Sequence, residues 1–235
     1  MILIKSKKQI LLEGRYDSFT RIISNDIFRS IKETEGDTED MHNIDLPYDV
    51  NGEERYGHET GLGIEVDLRI QRTDNTILYG NRELPYHINT YVATDDVVVM
   101  EVVIDETYGR EFYEEMFYKI NEDVRHELEH HLQNIFDDRE QPNIPNTADY
   151  ETVFAHHMDP SEVEALVRGF HRRAKLEKKP LDIVMLEDIK KEIMDGNITA
   201  DEGDTLLQTW ITYAVKKISK FNVSTPTRRR VSFKK

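Results

Sequence analysis

The chain has 235 residues, no cysteine and a formal net charge of −15 at pH 7. This length is enough for a substantial core that needs no disulfide, and the absence of cysteine means that any metal must be held by His, Asp or Glu. The acidic balance argues against a main body that binds nucleic acid, since phosphate contacts require clustered Lys and Arg.

The first half of the chain predicts one helix followed by a small sheet. Residues 16–33 place apolar side chains at spacings of three and four, the pattern of an amphipathic helix. Residues 35–60 are acidic and rich in Gly and Asn, and they predict a long loop. Three segments with β patterns follow, and we expect them to form a mostly antiparallel sheet: residues 63–73, 86–94 and 97–105.

The second half of the chain is predicted to be helical. Residues 110–140 form one long amphipathic pattern, which ends before two prolines. A loop then leads to Asp159, which can cap a helix that has Pro160 at its first position. Two further helices are expected near residues 184–194 and 201–219. The fold class is therefore α+β, with the sheet preceding the helices.

The domain organisation that we predict is a single α+β domain over residues 1–222, followed by a basic tail at 223–235. The tail holds five Lys and Arg and no acidic residue, so we expect it to be disordered or bound to a partner. It is the one part of the chain that has the charge to bind nucleic acid.

A metal-binding pattern lies inside the predicted long helix, where His126, Glu127 and His130 make the arrangement H-E-x-x-H. Histidines four residues apart lie about 40° apart around a helix axis, so both can reach one ion at about 2 Å. Glu127 points toward the same opening and can take a proton from a zinc-bound water, whose pKa the metal lowers to about 7. The pattern therefore predicts a zinc site on this helix.

The apolar stripe of the same helix lies almost opposite His126 and His130. That placement is compatible with a helix face that lines a cleft and equally with a face open to solvent. His131 falls at the edge of the apolar stripe, and we expect it to pack rather than to bind metal.

A catalytic zinc needs a third protein ligand, and four residues downstream are candidates: Glu162, Glu164, His156 and His157. The two glutamates flank the apolar stripe of their helix at nearly equal angles, so geometry does not choose between them. Glu164 shares its flank with Arg168 and His171, a group that could orient a carboxylate or stabilise an oxyanion.

These motifs together resemble a known family. A helix with H-E-x-x-H and a second helix with the Glu-Ala step of "SEVEALVRGF" are similar to small gluzincin-type zinc metallopeptidases, including phage-encoded ones and the ImmA/IrrE type. The resemblance covers about residues 63–175 and implies a zincin-like fold. In those families a small sheet precedes the active-site helix, and its edge strand holds an extended peptide or protein substrate.

The resemblance also implies roles for single residues. The third ligand of such enzymes is a glutamate that is often followed by alanine, which here implies Glu164, so His126, His130 and Glu164 would hold one Zn²⁺ per chain. Glu127 would be the general base and then the proton donor to the leaving amine, and His171 is a further catalytic candidate. The expected substrate is a peptide or protein.

An alternative from another class stays open, namely a non-catalytic phage-type structural or interaction protein that keeps a zincin-like scaffold. No apolar run approaches the roughly 20 residues of a membrane span, and the N-terminal segment lacks the pattern of a signal peptide. We therefore expect a cytoplasmic protein, in the bacterial host cell if the chain is encoded by a phage.

Overall fold

The computed structural model describes residues 7–34, 42–49, 63–79, 82–94, 97–136 and 152–218. Its helices are α1 (Lys7–Glu33), α2 (Tyr113–Phe136), α3 (Val153–Met158), α4 (Pro160–Glu177), α5 (Leu181–Asp195) and α6 (Ala200–Lys217). Its strands are β1 (His42–Asp49), β2 (Gly63–Thr73), β3 (Ile77–Tyr79), β4 (Arg82–Leu84), β5 (Tyr86–Thr94) and β6 (Val97–Asp105). The predicted α+β class is confirmed.

The chain divides into two compact units. The first contains Met1–Ile77 and Glu83–His131, and the second contains Leu78–Arg82 and Leu132–Lys235. The boundary falls inside α2, so this helix belongs to both units. A single domain over residues 1–222 stays a prediction, and the basic tail that we predicted lies outside the described residues.

The sheet of the first unit has four strands in the order β1-β2-β6-β5. The predicted bounds of β2, β5 and β6 are confirmed. Two of the three pairings are antiparallel, as expected, while β2 and β6 run parallel. A parallel pairing needs a long connection, and the segment that holds β3, β4 and β5 supplies it.

The prediction of a loop over residues 35–60 is wrong at His42–Asp49, which forms β1. This strand pairs antiparallel with β2 and places Ile44 opposite Leu68 and Leu46 opposite Val66. Ile44 and Leu46 stand at alternate positions, which is the period of a strand with one apolar face. The acidic composition of the surrounding segment concealed this short alternation.

The core of the first unit lies on one face of the sheet. Along β2, every second residue is buried: Ile64, Val66, Leu68 and Ile70. α1 was predicted over residues 16–33 and begins earlier, at Lys7. Its predicted apolar positions Phe19, Ile23, Ile27 and Ile31 are buried, as the helical spacing required.

The second unit is built from helices around Trp210 and Phe170. The centroids of these two rings are 5.1 Å apart, and both side chains are almost fully buried. The predicted start of α4 is confirmed, since the Asp159 side chain accepts a hydrogen bond from the Ser161 backbone and Pro160 occupies the first turn. The loop predicted before Asp159 is wrong at Val153–Met158, which forms α3. Thr152 caps that helix, a signal that we overlooked.

Among the described residues, no helix is both long and apolar enough to cross a membrane.

The end of α4 is held by an ion pair whose contribution to stability should depend on pH. Glu177 accepts a hydrogen bond from Arg173 Nε at 2.5 Å, and Lys179 lies 2.8 Å from its other oxygen. Burial raises the pKa of Glu177, but the contacts with Arg173 and Lys179 outweigh burial and leave this pKa below its ordinary value. The stabilisation is therefore complete above the ordinary pKa of Glu and is lost as pH falls through the lowered folded value.

We expect Glu177→Gln to lower the free energy of unfolding by about 1–3 kcal/mol at neutral pH. The difference from wild type should shrink at an acidic pH below the lowered folded pKa of Glu177, where the wild-type carboxylate is also protonated in the folded state. Urea unfolding at both pH values measures this. A difference that does not change with pH would show that the charge of Glu177 is not the stabilising feature.

Candidate metal centre

His126 and His130 lie on successive turns of α2, and their imidazole rings meet. The two Nε2 atoms are 3.1 Å apart, and the ring centroids are 4.7 Å apart in an edge-to-face arrangement. The four-residue spacing of one helix produces this proximity without help from any other element. The prediction that both rings can point toward one ion is consistent with this geometry.

The separation of the two nitrogens can be compared with the geometry of a zinc ion. Zinc binds imidazole nitrogen at about 2.0–2.1 Å, so two such ligands on a tetrahedral ion lie about 3.3–3.4 Å apart. The observed 3.1 Å is within a few tenths of an ångström of that value. The pair therefore fits two positions of a tetrahedral zinc with little rearrangement.

The environment of the pair is largely closed to solvent. His130 is buried, and the side chain of His126 is 17% exposed. Glu122, on the same side of the helix one turn earlier, is also buried. The sequence left open whether the face of α2 that carries these histidines is exposed to solvent. The burial of these side chains shows that it is not simply solvated. A partly accessible imidazole beside a buried one suits a centre that must admit a small ligand.

Glu127 lies beside the histidine pair and also contributes to the core. Its Oε1 is 3.9 Å from Nε2 of His126, and its side chain is 8% exposed. It borders a cavity of about 10 Å³, roughly the size of one water, whose other walls are aliphatic: Ile23, Ile64, Val66, Val98, Met100, Val124 and Leu128. Because the side chain fills space between helix and sheet, its volume as well as its charge has a role.

His131 is buried at the end of the first unit. This agrees with the prediction that it packs, although it follows the ligand candidate His130 directly.

The downstream ligand candidates lie in the second unit, on α3 and α4. Glu162 is buried, and its Oε2 lies 3.7 Å from Nε2 of His156. Glu164 is more open, with a side chain 29% exposed. Tyr213 donates a short hydrogen bond to Oε1 of Glu164, and Arg168 lies 4.0 Å from the same oxygen. The predicted proximity of Glu164 and Arg168 is therefore confirmed.

His157 and His171 are placed differently from these carboxylates. The ring of His157 packs against that of Trp210, with 5.9 Å between the ring centroids, so it faces the core of the second unit. His171 is half-buried on α4, two turns after Glu164. Its catalytic role stays a prediction.

The contact of Tyr213 with Glu164 was not predicted. The two residues are 49 positions apart, and no local pattern connects them. α6 itself was predicted as a helix, but the sequence gives no indication of which neighbour its polar side chains meet. Such contacts depend on how helices pack, which local periodicity does not encode.

The start of α4 also contacts the last turns of α2 within the second unit. Gln133 donates a hydrogen bond from its side chain to the backbone oxygen of Ser161 at 3.0 Å. Ser161 directly precedes Glu162, and Gln133 is three residues after His130 on α2.

Comparison of the chain with known protein families, curated proteins and solved structures gave no match. A function for this protein therefore has to follow from the chemistry of the candidate centre itself.

Proposed function

We propose that this protein is a zinc-dependent metallopeptidase of the gluzincin type. The observation that carries the proposal is the pair of Nε2 atoms on α2, 3.1 Å apart, with the Glu127 carboxylate beside them. Two imidazoles that fit one tetrahedral ion and an adjacent carboxylate are the groups that metal-assisted hydrolysis requires. The substrate class is a peptide or protein.

We propose the buried Glu162, rather than the more exposed Glu164, as the third ligand. Glu164 already accepts a hydrogen bond from Tyr213 and faces Arg168. Glu162 is buried and has the imidazole of His156 beside it, an arrangement that can hold a carboxylate in one direction for a metal.

The chain's own residues then have separate tasks. When bound, zinc would lower the pKa of a water at its open position and polarise the substrate carbonyl. Glu127 accepts the proton of the attacking water and returns it to the leaving amine. Its aliphatic neighbours exclude bulk water from one side of the carboxylate. Arg168 and His171 remain candidates for stabilising charge on the substrate.

The choice between the two glutamates predicts different results for two matched variants. Glu162→Ala should weaken zinc binding by more than about 100-fold, because losing a ligand costs more than losing a group that only orients one. Glu164→Ala should bind zinc as wild type does and lose its contacts with Tyr213 and Arg168. Competition with a zinc chelator measures both affinities. The reverse result would make Glu164 the ligand, as the family resemblance implies.

Peptide cleavage tests the proposed function itself. Zinc-loaded protein should cleave members of a mixed peptide library, and a chelator should stop the cleavage. A fully loaded protein that leaves a broad library intact would instead support the non-catalytic interaction protein that keeps the metal centre.

A further inference from the structure

α3 and α4 meet at a junction of one residue. Asp159 ends α3 and caps α4, and its side chain accepts hydrogen bonds from both the backbone and the hydroxyl of Ser161. Its backbone N–H donates to the oxygen of His156 at 3.0 Å. The same residue is therefore bonded to the last turn of one helix and the first turn of the next. This arrangement fixes how His156 faces the start of α4.

A second set of contacts holds the end of α3 from the other side. Trp210 is fully buried on α6 and donates from Nε1 to the backbone oxygen of His157 at 3.4 Å. The rings of His157 and Trp210 also pack against each other. α3 has only six residues and would be marginal alone, so these contacts are what keep His156 in a defined place.

The side chain of His156 uses this placement to approach a carboxylate. Its Nε2 lies 3.7 Å from Oε2 of Glu162, and the two side chains are 23% and 7% exposed. A carboxylate that binds an ion through one oxygen can take a donor or a cationic ring through the other. Neighbours of this kind fix the direction of a ligand and increase its affinity for the metal.

We propose that His156 is a positioning residue that orients Glu162 for metal binding. This inference rests on the proposed function, because it takes Glu162 as the third ligand. His156 acts through Glu162 and does not touch the ion. Its Nε2 is the atom that matters, since that atom faces the carboxylate.

Zinc affinity of three full-length variants tests this role. His156→Ala should weaken zinc binding by about 10- to 100-fold. His156→Gln should recover most of the affinity, because the Gln Nε2 can donate from nearly the same place. His157→Ala is the matched control: it removes the neighbouring ring but keeps the backbone oxygen that accepts from Trp210, so α3 stays held and zinc binding should be close to wild type. Replacing zinc by Co²⁺ adds a spectrum that should change in His156→Ala alone.

The possible failures have different meanings. A wild-type protein that binds no zinc would contradict the proposed function. A wild type that binds zinc with His156→Ala unchanged would overturn only the positioning role. Equal losses in His156→Ala and His157→Ala would assign the effect to the stability of α3. A loss in His156→Ala that Gln does not restore would make His156 a direct ligand and would also overturn the proposal.

Discussion

Glu127→Gln is expected to keep zinc and to lose peptide cleavage by about 10²–10⁴-fold, the range that a general base contributes. An amide cannot accept the proton of the attacking water at neutral pH. The side chain of Gln has nearly the volume of Glu, so the wall of the cavity between α2 and the sheet should stay filled. Alanine at this position would enlarge that cavity and confuse a loss of chemistry with a loss of packing.

The measurement is the cleavage rate per bound zinc, with Glu122→Gln as the control. Glu122 is a buried carboxylate on the same helix that pairs with Lys119 at 2.7 Å, so its variant controls for the loss of a buried negative charge from α2. Its variant should retain cleavage. If Glu127→Gln cleaves at the wild-type rate with zinc bound, Glu127 is not the base and the proposed mechanism is wrong.

His126→Ala and His130→Ala are each expected to abolish stoichiometric zinc binding. The two Nε2 atoms form a pair, and removing either leaves too few protein ligands for a stable tetrahedral site. Both variants should also lose cleavage, since every proposed catalytic step depends on the metal. Zinc content after dialysis and the far-ultraviolet circular dichroism spectrum together separate loss of metal from loss of fold.

His131→Ala is the natural control for these two variants, because it removes a buried histidine that is adjacent to His130 and is not placed in the centre. We expect it to lower stability and to leave zinc stoichiometry unchanged. Loss of zinc from His131→Ala, with retention in His130→Ala, would mean that the histidine pair is assigned wrongly.

The parts of the fold that the sequence predicted best are those with an uninterrupted local period. β2 alternates apolar and polar residues from Ile64 to Gln71, and the observed bounds, Gly63–Thr73, agree with the prediction. β1 carries a similar alternation, but it is short and lies in an acidic segment. The composition of that segment predicted a loop, and the short alternation was not enough to predict a strand. α3 is shorter still, and its cap at Thr152 was its one clear signal.

In the candidate centre, too, contacts set by local sequence could be predicted, and contacts between distant elements could not. The spacing of His126 and His130 is set by a single helix, so their proximity could be predicted from five residues of sequence. The proposed third ligand would come from another element, and the angles of Glu162 and Glu164 around α4 are nearly equivalent in the sequence. What distinguishes them is contact with residues of other helices, Tyr213 on α6 and His156 on α3. No periodicity reports those contacts.

The most direct test of the central claim is the metal content of the full wild-type chain, purified without chelator and measured by mass spectrometry of the elements. A zinc centre built on the α2 histidine pair predicts close to one zinc per chain, retained through dialysis and absent from His126→Ala. Protein that is folded, free of metal and unable to take up added zinc would contradict the claim and every catalytic role proposed with it.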